Sequence, residues 1–162
     1  MTDKAKKPAK KGLAEKLVAQ NRKARHEFDV LETLECGIVL TGSEVKSLRA
    51  GKVSLDEAHG KVRGGEVWLL NSDIPEYSHA SVFNHEPRRP RKLLLHNREI
   101  SKFAAQAFER GLTLIPLKLY FNERGKAKVL LGICRGRKLH DKRENLKKAD
   151  ARRDIERAMR RQ

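Results

Sequence analysis

The chain has 162 residues and 38% hydrophobic content, enough for one modest core with charged extensions. No run of about eighteen apolar residues occurs, and the basic N-terminus lacks the apolar segment of a secretory signal, so we expect a cytoplasmic protein without a membrane partner. Cys36 and Cys134 lie far apart without zinc-ligand spacing. They therefore predict reduced, half-buried side chains, and we expect neither a metal nor a cofactor.

The net charge of +16 is concentrated at the two ends of the chain. Residues 1–25 hold nine Lys/Arg against two acids, and residues 135–162 hold twelve against five, which gives +7 for each end. Such ends favour a polyanionic partner, because each cation placed at a phosphate releases counterions. Solvated, solubilising tails are the alternative. A membrane surface is the weaker candidate, because neither end sets large apolar residues opposite its basic face.

The predicted elements begin with residues 1–12, which are rich in Lys, Ala and Pro and should be disordered. Apolar residues at helical spacing predict a short helix over about 13–22. Residues 26–40 alternate in polarity and are rich in β-branched and aromatic side chains. They predict one long strand, or two strands that meet near Gly37, where a bend costs least.

A short helix and a hairpin are predicted next. Residues 41–51 predict a helix in which Thr41 and Glu44 form a capping box. Residues 60–74 contain a Gly-Gly pair at 64–65 followed by the apolar run VWLL, which is typical of a β-hairpin.

The segment over residues 75–92 is predicted to be a loop because it contains three prolines. It ends in a basic cluster of Arg88, Arg89, Arg91 and Lys92. Residues 97–111 then predict the principal helix of the chain, with Asn97 as its N-cap and an apolar stripe along one face.

A second hairpin is predicted from residues 112–121 and 126–134, and Pro116 indicates an edge position or a bulge on its first strand. The sum is five or six antiparallel strands with one principal helix between two groups of them. This order predicts a mainly β fold, an OB-fold-like antiparallel barrel with two to three helices and a basic C-terminal tail. An open antiparallel sheet with helices on one face is the alternative.

The sequence contains no motif typical of an enzyme. The glycines at 60–65 are not followed by the Lys-Ser/Thr pair and helix of a phosphate-binding loop, and predict turns instead. His140 and Asp141 are adjacent in a tail that lacks the preorganisation required for general-base catalysis. We therefore expect a binding protein and not an enzyme.

Aromatic residues constrain how an RNA partner would be bound. Only eight are present, and most fall in strand or helix stripes that suit a core. Proteins that bind single strands use exposed aromatics as stacking platforms. Their scarcity favours a folded RNA recognised by shape and phosphates.

Five sequence words, in this order, strongly resemble the SsrA-binding protein family, also called small protein B. They are NRKARHEF (21–28), GIVLTGSEVKSLRAGKVSL (37–55), RKLLLHNREI (91–100), LYFNERGKAKVLLG (119–132) and GRKLHDKR (136–143). The resemblance runs from about Ala19 to Arg143. It implies a bacterial OB-fold protein that binds tmRNA and brings it to stalled ribosomes for trans-translation, and that catalyses nothing. A structural ribosomal protein or a general RNA chaperone is the alternative function.

The resemblance also implies which residues bind the tRNA-like domain of tmRNA. By motif position they are Asn21, Lys23, Arg25, Glu35, Lys46, Arg49, Lys92 and Leu94. The cations suit phosphate contacts, whereas a carboxylate can only accept and suits a base or ribose donor. For Glu35 the alternative is an exposed strand acid or the partner of a nearby Arg.

A third implication concerns the tail, which in the family is disordered alone and helical on the ribosome. It implies an N-terminal segment 1–12, an RNA-binding domain 13–134 and a tail 135–162. The tail residues expected in the message channel and decoding centre of the small subunit are Arg137, Lys138, His140, Asp141, Lys142 and Arg143. Alanylated tmRNA and elongation factor Tu are expected in the same complex.

Overall fold

The computed structural model describes residues 15–80, 82–108, 111–137 and 139–159, so the segment 1–12 predicted to be disordered lies outside it. The elements in chain order are β1 (Lys16–Gln20), α1 (Arg22–Glu27), β2 (Phe28–Ile38), α2 (Gly42–Arg49), β3 (His59–Arg63), β4 (Glu66–Leu70), β5 (Arg91–Leu94), α3 (Asn97–Ala107), β6 (Leu112–Phe121), β7 (Ala127–Gly136) and α4 (Leu139–Met159). None of these helices is long and apolar enough to cross a membrane.

Six strands form a closed antiparallel ring in the order β6-β3-β4-β5-β2-β7, and β7 pairs again with β6. The long β6–β7 hairpin closes one side, with register from Leu112↔Arg135 to Phe121↔Ala127. β1 lies along the remaining part of β6. The expected OB-fold-like barrel is therefore confirmed, and the open sheet is excluded. Three described helices, α1 to α3, accompany the barrel, within the two to three expected, and α4 belongs to the tail.

The core fills the interior of this ring. Its buried side chains include Leu48 from α2, Phe103 from α3, and Val67, Leu119 and Leu131 from the strands. Alternating strand residues point inward, as a half-buried sheet requires.

Both cysteines are free and fully buried, so the expectation of half-buried thiols is corrected to complete burial. Burial raises the pKa of the Cys36 thiol to about 12 and that of Cys134 to about 11. Both therefore behave as small core hydrophobes at neutral pH.

The helix predicted over 13–22 is wrong. Residues Lys16–Gln20 form β1, which pairs with β6 from Lys16↔Phe121 to Gln20↔Lys118. The free edge of β6 offers a row of backbone hydrogen-bonding groups, and pairing with it outweighs the weak helical preference of five residues. The helix begins only after Asn21.

The predicted strand over 26–40 is confirmed as β2, but its irregularity falls between Val30 and Glu32 and not at Gly37. Pro116 lies at a shift in the β6–β7 register, so the bulge is confirmed, and β6 has partners on both sides. The hairpin turn at 64–65 is confirmed, because both glycines have positive φ.

The predicted loop 75–92 is confirmed except for its last two residues, which belong to a strand. The loop ends at Pro90, and Arg91–Leu94 form β5 between β4 and β2. The N-cap of α3 is His96 and not Asn97, because the Glu99 carboxylate accepts from the His96 backbone N–H at 2.9 Å.

Candidate nucleic-acid interface

Asn21 fixes the start of α1. Its Oδ1 accepts from the Ala24 N–H and its Nδ2 donates to the Leu55 carbonyl, both at 2.9 Å, and the side chain is buried. These bonds satisfy the amide within the fold, as an N-cap requires. Lys23 and Arg25 follow on the exposed side of the same helix. Asn21 thus positions the two cations and is not itself at the surface.

α2 presents the next two predicted cations. Thr41 and Glu44 form the expected capping box, and the Glu44 carboxylate accepts from the Thr41 N–H at 2.7 Å. Leu48 faces the core, which leaves Lys46 and Arg49 on the exposed face. α2 is therefore a short rigid platform for two positive charges.

Glu44 has a second role that the sequence did not indicate. Its carboxylate is wholly buried, 2.9 Å from Arg91 Nε and 2.6 Å from an Arg89 terminal nitrogen. Arg91 is also wholly buried and donates to the Ser72 carbonyl at 2.6 Å. The anchor, meaning Glu44, Arg89 and Arg91, ties α2 to the start of β5.

The predicted basic cluster is therefore not a free cationic patch. Arg91 is inside the anchor, and Arg88 lies 3.2 Å from Glu57 and 3.5 Å from Asp73. Lys92 is half-buried and paired with Glu66 on β4. These ion pairs tie the loop to the barrel and β5 to β4 within it.

Glu35 lies on β2 beside the β6–β7 hairpin. It accepts a hydrogen bond from the Tyr120 hydroxyl, and Lys128 Nζ lies 3.2 Å from its other oxygen. The hydrogen bond from Tyr120 is the main reason that the pKa of Glu35 lies below its usual range, and Lys128 adds to it against a smaller effect of burial. Glu35 is thus an ionised acceptor with a fixed direction.

Lys128 is a candidate that sequence reasoning missed. It is the partner of Tyr120 in the β6–β7 register and belongs to the word LYFNERGKAKVLLG. Counting the hairpin register across its turn would have placed Lys128 next to Tyr120, but only β2 brings Glu35 to the same place. Glu35 therefore has two partners, the Tyr120 hydroxyl and the Lys128 ammonium, in place of the nearby Arg given as the alternative.

Glu35 and Lys128 line an open cleft of about 790 Å³ between β2, β5, the start of α3 and the β6–β7 turn. Leu94 on the neighbouring strand β5 is paired with Gly37 of β2 and lines the same cleft with 51% of its surface exposed, and Lys126 lies at the turn. The structure thus brings Glu35 and Leu94 together, as expected for one site. α2 contributes Val45 to the rim.

The tail leaves the barrel through Arg137. β7 runs to Gly136, two residues beyond the expected domain end at 134. The Arg137 N–H donates to the Glu27 carbonyl at 2.9 Å, and its Nε lies 2.6 Å from the Asp29 carboxylate. Arg137 is therefore bonded to the end of α1 and the start of β2.

The other tail residues are described in part. His140, Asp141, Lys142 and Arg143 lie in the first two turns of α4, whereas Lys138 lies outside the described residues. Wherever the exposure of an α4 side chain is described, that side chain is exposed. The expectation that this segment is disordered when free stays a prediction.

A small antiparallel barrel that carries cations and one fixed acceptor around an open cleft defines a nucleic-acid-binding barrel protein of the oligonucleotide-binding kind. The family model described as SmpB protein matches residues 18–161, and the chain belongs to that family.

Relatives of this chain carry the name SsrA-binding protein. That of Rhodopirellula baltica is 60% identical over 144 residues, covering 89% of this chain and 82% of its own. That of Nitrobacter winogradskyi is 58% identical over 135 residues, covering 83% and 86%. A solved chain from "tmRNA-SmpB: a journey to the center of the bacterial ribosome" has a TM-score of 0.65 and 52% identity, covering 75% of this chain and 85% of its own.

Proposed function

We propose that this protein is an RNA-binding adaptor that binds the tRNA-like domain of tmRNA and delivers it to stalled ribosomes for trans-translation. The observation that carries the proposal is the cleft in which Tyr120 and Lys128 hold the Glu35 carboxylate ionised and aimed outward. The SsrA-binding relatives and the tmRNA-SmpB structure support it.

The RNA contacts are of three chemical kinds. Exposed cations on α1 and α2 bind phosphates, and they are Lys23, Arg25, Lys46 and Arg49. Glu35 accepts a hydrogen bond from a base or ribose, and Leu94 covers an apolar edge of the RNA. Lys128 contributes a further phosphate contact beside Glu35. Asn21 acts indirectly, by holding α1, and Lys92 holds β5 through Glu66.

The tail serves a second partner, the small ribosomal subunit. Residues Arg137, Lys138, His140, Asp141, Lys142 and Arg143 start the segment that enters the message channel and decoding centre. In the complex the RNA is alanylated and bound by elongation factor Tu, and the whole cycle takes place in the cytoplasm. The adaptor itself turns over no substrate.

The first test is the identity of the bound RNA. RNA that copurifies with the protein from its bacterial host should be dominated by one abundant structured species, tmRNA. A broad mixture of transcripts would instead support a general RNA chaperone, and recovery of ribosomal RNA alone would support a structural ribosomal protein.

The second test locates the site. Lys128→Ala should weaken tmRNA binding and reduce the slope of log affinity against log salt by about one unit, because one phosphate contact is lost. Lys61→Ala is the matched control, since it removes the same charge from the exposed face of β3. Equal losses in both variants would show that bulk charge, and not the cleft, binds the RNA.

A further inference from the structure

The loop between β4 and β5 carries the two most exposed large apolar side chains of the described residues. Val82 and Phe83 are each 91% exposed. We propose that Phe83 stacks on an unpaired base of tmRNA and that Val82 covers the edge of that base. The inference rests on the proposed function and extends the RNA-binding surface beyond the cleft.

The base of this loop is closed by a pair of reciprocal hydrogen bonds. The Tyr77 N–H donates to Asn84 Oδ1 at 3.1 Å, and Asn84 Nδ2 donates to the Tyr77 carbonyl at 3.0 Å. Because both bonds use one side chain, residues 77 and 84 are held together. The tip is therefore presented from a fixed base, which lowers the ordering cost of a contact.

Both ends of the loop are also bonded to α2. Ser47 Oγ donates to the Pro75 carbonyl at 2.8 Å, and His85 Nδ1 lies 2.9 Å from Ser43 Oγ. The Lys46 ammonium lies 5.4 Å from the centre of the Tyr77 ring. Phe83 is thus a neighbour of the helix whose cations are proposed to bind phosphates.

The surrounding charges favour a base over a phosphate at the tip. Lys46 and Arg49 on α2 attract the RNA backbone, whereas Glu76 and Glu86 are exposed on the loop itself. A carboxylate repels a phosphate but accepts from the exocyclic amino group of a base. Both acids lie next to the closed base of the loop, and an exposed aromatic ring on such a loop suits an unstacked base beside a backbone that α2 holds.

The test uses four variants of the full chain and measures the affinity for tmRNA across a salt series. Phe83→Ala should bind about tenfold more weakly, because base stacking is lost. The salt slope should be unchanged, because the substitution removes no ion pair with a phosphate. Phe83→Trp should bind at least as well as the original chain. Phe83→Leu should stay weak, since it restores apolar area without a ring. Phe108→Ala, which removes a 79% exposed ring at the end of α3, should bind normally.

Two further readouts separate the possible outcomes. The Trp introduced at position 83 should be quenched by tmRNA, as a stacked base requires. Its emission is obtained by comparison with the original chain, which contains Trp68 alone. Full binding by Phe83→Ala would overturn the inference, as would full rescue by Phe83→Leu, which would show that the contact needs apolar area and not a stacked ring. Normal tmRNA affinity with weakened ribosome binding would assign the contact to ribosomal RNA and also overturn it. Lys128→Ala reports on the proposed function separately, because Lys128 lines the cleft and not this loop, so loss of its binding tests the cleft alone.

Discussion

Arg91 lies beneath α2 with its guanidinium Nε 2.9 Å from the Glu44 carboxylate, and both side chains are wholly buried. The same carboxylate caps α2 and receives Arg89. One acid thus fixes the helix that presents Lys46 and Arg49 and the strand that presents Leu94. The anchor therefore holds the RNA-binding residues in place, although no part of the anchor is proposed to contact RNA.

Glu44→Gln should lower the free energy of unfolding by about 3–5 kcal/mol, because it leaves buried guanidinium charge without its carboxylate. Urea denaturation followed by circular dichroism measures this. Glu86→Gln is the matched control, since Glu86 is exposed and its substitution should change stability by less than about 0.5 kcal/mol. Equal stability of the two variants would contradict the role given to the anchor.

The anchor also makes stability depend on pH. Burial raises the pKa of Glu44, but the hydrogen bonds from Arg89 and the Thr41 N–H and the charge of Arg91 outweigh it, so the pKa lies below the usual 4.5. A carboxyl whose pKa is lower in the folded state stabilises the fold fully above its unfolded pKa and loses that contribution as pH falls through the folded value.

The free energy of unfolding should therefore decline on acidification below about pH 4.5, and less steeply in Glu44→Gln. Urea midpoints between about pH 7 and pH 3 measure both slopes. Parallel declines would show that other carboxyls carry the acid sensitivity.

Tyr120→Phe removes the hydroxyl that donates to Glu35 and leaves the ring in place. The pKa of Glu35 should rise towards its usual range, which carboxyl NMR titration detects. Affinity for tmRNA should fall about fivefold, because a hydrogen bond of this kind contributes about 1 kcal/mol. Glu35→Ala should lower the affinity for tmRNA by more than Tyr120→Phe does, because it removes the acceptor itself. Unchanged affinity in Tyr120→Phe would mean that the direction of the carboxylate is not important.

Gly60→Ala tests the closure of the barrel. Gly60 pairs with Leu114 where β3 meets β6, and an added Cβ would lie 2.8 Å from the Leu114 Cβ. The variant should be destabilised by about 1–3 kcal/mol in thermal or urea unfolding, because neither strand can move away without opening the ring. Gly42→Ala is the control, since its Cβ would meet nothing within 4 Å.

Replacing Asp141, Lys142 and Arg143 together by Ala removes a net charge of one. Affinity for tmRNA should stay unchanged while peptide tagging on stalled ribosomes is lost, because the barrel binds the RNA and the start of α4 fits the decoding centre. The triple alanine variant of Lys147, Lys148 and Asp150 removes the same net charge further along α4 and should retain more tagging. Equal tagging by the two triple variants would show that the tail acts only through its total charge, as a solvated polycation.

Elements with local signals could be predicted from the sequence. The capping box of Thr41 and Glu44 and the glycine turn at 64–65 lie within a few residues of the structure that they set. β1 could not be predicted in this way, since its state depends on pairing with β6 about a hundred residues later. The burial of Arg91 has the same cause, because its partner is Glu44 on another element.

β7 connects the two ends of the molecule that the proposal assigns to different partners. It begins beside Lys128 in the cleft and ends at Gly136, where the tail leaves. At about 3.3 Å per residue its length is roughly 30 Å, and pairing with β2 on one side and β6 on the other prevents it from bending freely. The barrel therefore acts as a rigid spacer. Inserting residues between Gly136 and α4 would change the reach of the tail without changing what the cleft binds.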